Sequence, residues 1–86
     1  MGRFARIHYV VPLAPGLSAP HGLLLRWTAR GALRSGEARA GERVVVFEGR
    51  IVEARLQSWF DLAIEVDSRY FDGRLVINPH FEIDVQ

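Results

Sequence analysis

Apolar and polar side chains alternate along most of this chain with a period of two, the repeat of a strand with one covered face. Residues 41–67 carry the pattern most fully. Val44 to Phe47 is a nearly continuous apolar run of mostly β-branched residues, suited to a pleated surface. A second run sets Val52, Ala54 and Leu56 on one face and Ile51, Glu53, Arg55 and Gln57 on the other. A third directs Phe60, Leu62, Ile64 and Val66 inward, with Asp61, Glu65 and Asp67 outward. Gly49 and Gln57-Ser58 mark the breaks expected between these three strands.

The flanking sequence extends the pattern. Residues 3–11 predict a strand with Ala5, Ile7, Tyr9 and Val11 on one face, stopped by Pro12. Residues 12–22 hold three prolines and two glycines and predict a loop. Leu23 to Arg30 predicts a strand with Leu23, Leu25, Trp27 and Ala29 on one face and Leu24, Arg26, Thr28 and Arg30 on the other. Residues 31–42 are small and charged, and predict an exposed connection. Asp72-Gly73 signals a turn, followed by a short strand over Leu75, Val76 and Ile77. A last strand from His80 to Gln86 points Phe81, Ile83 and Val85 inward. The sum is a single all-β domain over residues 1–86 with about six to seven short strands and little or no helix. For a chain this small, that spacing favours a β-barrel, SH3-like or OB-like in kind.

Composition narrows the chemistry. There are no cysteines, which excludes disulfides and thiolate-based zinc sites. All 11 basic residues other than histidine are arginine, and net charge is +1. The charge is uneven, with seven arginines and two acids in residues 1–43 against four and eight in residues 44–86. No apolar stretch approaches the ~20 residues of a spanning helix. Pro12, Pro15 and the two-residue period argue against a cleaved leader, so a cytoplasmic protein with no membrane contact is expected.

Candidate sites follow from the same faces. His80, Glu82 and Asp84 share one face of the last strand, but nothing supplies a second cluster of ligands, so a solvated face and no metal is the reading. The carboxylates fall mostly at exposed positions where no pKa displacement is expected, and no nucleophile elbow or phosphate-binding glycine loop occurs. No catalytic residue, cofactor or small-molecule ligand is identified, and the chain reads as a non-enzyme. Large apolar groups on faces that should be wet suggest a contact surface. Leu24, Ile51, Trp59 and Ala63 are those groups, and Tyr70 in the following turn joins them as a protein-interface candidate. The expected function is therefore a binding or assembly module acting on a protein partner, including a second copy of itself. The alternative is nucleic-acid binding, with Arg30, Arg34, Arg39 and Arg43 contacting phosphates and Trp27 stacking on a base.

Overall fold

The computed structural model describes residues 2–52 and 55–86. Six strands form in chain order: β1 (Arg3–Val11), β2 (Leu23–Gly31), β3 (Gly36–Arg39), β4 (Glu42–Ile51), β5 (Ser58–Val66) and β6 (His80–Val85). Three-residue 3₁₀ turns cover Pro20–Gly22 and Ser68–Tyr70. The strands make two three-stranded antiparallel sheets, ordered β4-β1-β6 and β3-β2-β5. No ladder closes them into a barrel among the described residues.

The inward faces of β1 and β2 build the core as the alternation requires. Ile7, Tyr9 and Val11 meet Leu23, Leu25 and Trp27, with Ala38, Ala40 and Val46 filling between them. Four rings lock the sheets together. Tyr9 lies 4.8 Å from Trp27, 5.6 Å from Phe60 and 4.9 Å from Phe81, while Trp27 stacks on Phe60 at 6.1 Å with nearly parallel planes. Such pairs add about 0.5–1.5 kcal/mol each beyond their buried area. The Trp27 indole Nε1 donates to the Arg34 carbonyl at 3.1 Å, so its one polar atom is satisfied inside the core.

Several elements depart from the sequence expectation, each for a tertiary reason. Gly49 does not turn the chain: β4 runs through it, with Gly49 opposite Ala5 of β1. An ideal Cβ there would meet only the Phe47 ring, at 3.8 Å, so the strand tolerates the glycine. The strand expected over 51–57 stops at Ile51, because Ile51 pairs with Arg3, the first residue of β1, and the ladder has no further partner. The part of that expectation resting on Glu53 and Ala54 lies outside the described residues. Conversely, the connection expected over 31–42 contains β3. Gly36 pairs with Trp27 and Ala38 with Leu25, and their small size leaves room for those large neighbours; a Cβ on Gly36 would sit 2.9 Å from the indole. Gly41 then reverses the chain into β4 at φ +88°, a conformation that favours glycine, and its N–H donates to the Val11 carbonyl at 2.7 Å.

Leu75, Val76 and Ile77 form no strand, although their alternation survives: Leu75 and Ile77 lie against the core while Val76 is exposed. A bulge shifts the β1–β4 register between Ile7 and His8 and leaves Val46 as the extra residue, fully buried. Its carbonyl accepts from the Arg34 N–H at 2.8 Å. That bond and the tight β3–β4 connection draw the sheets together along one side. The other side, flanked by β5 and β6, stays open.

Burial of the Tyr9 ring raises its hydroxyl pKa above the ordinary 10.0. The fold therefore favours the neutral phenol, and the associated stability is complete below pH ~10 and falls as pH rises toward the folded-state value. Urea midpoints measured from pH 8 to 11.5 are expected to drop at the alkaline end, and Tyr9→Phe should flatten that drop. An unchanged alkaline profile in the variant would assign the loss to other groups.

Candidate protein-contact face

The outer face of the β3-β2-β5 sheet is the wet one. Arg26 lies between Glu37 on β3 at 3.1 Å and Glu65 on β5 at 3.7 Å, and Arg30 approaches Asp61 at 3.9 Å. All five side chains are well exposed, so each pair contributes little to stability. Leu24, Trp59 and Ala63 share this face. Trp59 is 57% exposed and stands opposite Arg30, while Ala63 stands opposite Arg26 and Leu24 opposite Glu65. The expected grouping does not hold beyond these three. Ile51, placed outward by the alternation, instead lines the cleft between the sheets, because β4 carries the bulged Val46 and the side-chain phase inferred across a break at Gly49 does not apply. Tyr70 is half-buried, its ring 4.4 Å from His21.

Of the arginines of the alternative reading, Arg30, Arg39 and Arg43 make local side-chain contacts. Arg43 pairs with Glu82 at 2.7 Å, and Arg39 donates to the His21 carbonyl at 3.0 Å. Arg34 contributes its backbone to Trp27 and Val46, as above. Trp27 is buried, which removes it from base stacking. Glu82 is held by Arg43, with the His80 Nε2 3.7 Å away. Next to Tyr70, Asp67 accepts from the guanidinium and the backbone N–H of Arg69, and these bonds bring its carboxyl down to about 2.

The larger apolar surface lies on the inner faces of β5 and β6. Their registers fix the orientation: Leu62, Ile64 and Val66 pair with the buried Trp27, Leu25 and Leu23, and Phe81, Ile83 and Val85 pair with Tyr9, Ile7 and Ala5. All six therefore face the interior, yet each is 42% to 60% exposed. Among the described residues none covers them fully, because the two sheets meet through the central strands and the rings but part at these edges. Between them opens a cleft of about 620 Å³ lined by Ile7, Ile51, Leu56, Phe60, Leu62 and Ile83 among others, with Gln57 and Ser58 as its polar rim. Its size is that of a ligand pocket, but among the described residues no side chain charged at neutral pH lines it.

Sequence reasoning placed these residues correctly on the inner face and for that reason excluded them as contact groups. The signal was a mismatch in number: two three-stranded sheets with long apolar edge strands leave more inward side chains than an 86-residue chain has surface to cover. Among the described residues no helix is long and apolar enough to cross a membrane and no cluster of three potential metal ligands occurs. No family model, curated protein or solved structure matches this chain, so its function is argued from this geometry alone.

Proposed function

We propose that this domain is a non-enzymatic assembly module that works through protein–protein contacts, including contacts between its own copies. The observation carrying this reading is the half-exposed inner faces of β5 and β6, apolar at three successive inward positions on each strand. Isolated exposed apolar residues are ordinary on soluble proteins, whereas a contiguous strip of this kind marks a surface that is covered in use. Trp59 extends the contact-prone character to the outer face of the same strand, since exposed tryptophan is enriched where interfaces concentrate their energy. The arginine pairs described above favour a solvated charged face over a phosphate-binding one.

Multi-angle light scattering from about 1 to 500 µM tests the reading. A mass rising above the 9.7 kDa of one chain is expected within that range. A strict monomer throughout would remove self-association from the proposal.

A further inference from the structure

Deepening that assembly reading, on which it depends, we infer that the open side of the molecule, where the inner strips of β5 and β6 border the cleft, is closed by the same open side of a second copy around a two-fold axis, apolar strip against apolar strip. Three features lead there, the first two being linked aspects of one open shape.

The first is area. A monomer of this mass exposes roughly 5,100 Å² when packed in the usual way, whereas this chain exposes 5946 Å². The excess, about 800 Å², is what one partner contributes to a standard-sized interface. The second is shape. The Cα radius of gyration is 14.8 Å with extents of 50 × 22 × 16 Å, against roughly 12 Å for a compact domain of this length. The chain is flat and long, as one half of a layered structure would be.

The third is charge, and it selects the mode of contact. Along β5 and β6 the inner positions Phe60, Leu62, Ile64, Val66, Phe81, Ile83 and Val85 carry no charge, while the outer positions include Asp61, Glu65, Glu82 and Asp84. Joining two copies edge to edge, by β5–β5, β6–β6 or β5–β6 pairing, would bring these acids alongside one another and crowd the pairs that Asp61, Glu65 and Glu82 make with Arg30, Arg26 and Arg43. Like charges across a strand pair are unfavourable, and charged edges are a common guard against such growth. Stacking face to face buries the uncharged strips against each other and leaves every acid in water. Aligned sheets pack in this way about 10 Å apart. A self-complementary patch also closes at two copies, and a net charge of +1 sets up little long-range repulsion between them.

The absence of native cysteine makes site-directed crosslinking a direct test. Single variants Ile64→Cys, Ile83→Cys and Val85→Cys report the inner face, and Asp61→Cys and Asp84→Cys the outer one. Mild copper-catalysed oxidation is expected to give disulfide-linked dimers from at least one inner variant and from neither outer variant. In parallel, Ile83→Glu should weaken association at least tenfold by sedimentation velocity, while Thr28→Glu on the exposed outer face of β2 leaves it unchanged. Because Ile83 is the most exposed of the strip, circular dichroism of Ile83→Glu should match the parent, and the crosslinking arm needs no folded glutamate variant. Crosslinking confined to the outer variants, association abolished by Thr28→Glu and untouched by Ile83→Glu, or mass growing past two copies would each overturn the face-to-face dimer while leaving self-assembly standing. A strict monomer in every arm would overturn both.

Discussion

Trp27→Ala is expected to cost about 3–5 kcal/mol, the usual range for truncating a large buried aromatic. The domain as a whole commands roughly 4–13 kcal/mol, taken as ~0.05–0.15 kcal/mol for each residue. The substitution thus removes a third or more of the total over most of that range, and unfolds the protein outright at the lower end. The reason is the number of roles the side chain fills at once. It stacks on Phe60, meets Tyr9 edge-on, lies across Gly36 of β3 and ties down the Arg34 carbonyl. Losing it opens a cavity between the sheets and orphans a carbonyl in a half-buried position. Urea titration followed by far-ultraviolet circular dichroism measures the change. A loss under about 1 kcal/mol would show that the ring cluster is not the joint between the sheets.

The second large effect is a contrast between two residues that stand directly opposite each other on neighbouring strands. Leu25 on β2 is 0% exposed and Ile64 on β5 is 50% exposed. Leu25→Ala should cost about 2–5 kcal/mol at any protein concentration, from lost transfer energy plus a cavity. Ile64→Ala in the isolated monomer should cost about 1–2 kcal/mol, since only part of its surface leaves water on folding. Where copies associate, the same Ile64→Ala substitution loses interface burial as well, so its cost rises with concentration by mass action. Denaturation at about 1 µM and at a few hundred µM separates the two behaviours. Equal, concentration-independent costs at both sites would mean that the face of β5 is never covered by a second copy.

How much of this was legible beforehand is clearest strand by strand. β1, β2, β5 and β6 were all readable, because their periodicity was regular and proline or glycine bounded all but β5; the inward residues named from alternation are the ones whose registers face the core. β3 was not readable. Gly36-Glu37-Ala38-Arg39 has no intrinsic preference for a strand, and it is one only because β2 offers a ladder and needs small neighbours beside Trp27 and Leu25. The break expected at Gly49 failed for the related reason that a glycine signals freedom to turn without requiring it. Leu75 to Ile77 kept its alternating burial but lacks the ladder.

The contact surface divides in the same way. Trp59 and Ala63 could be assigned to an outer face from period alone, and the charged ladder around Arg26 shows that this face is otherwise solvated. Ile51 could not, since its direction depends on where β4 ends and on the bulge at Val46. The inner strip of β5 and β6 was visible as apolar residues and invisible as surface. Periodicity reports which side chains share a face, because that is local backbone geometry. Whether anything lies against that face depends on how many layers the chain can build.

By itself, then, the sequence determined that this is an all-β chain, which residues within a strand share a face, and that no thiol chemistry is available to it. Only the tertiary structure decided that the two sheets join on one side and part on the other, leaving six inward residues half in water. The physical reason is that strand direction and facing follow from neighbours one and two positions away, whereas coverage of a sheet is a matter of area summed over the whole molecule.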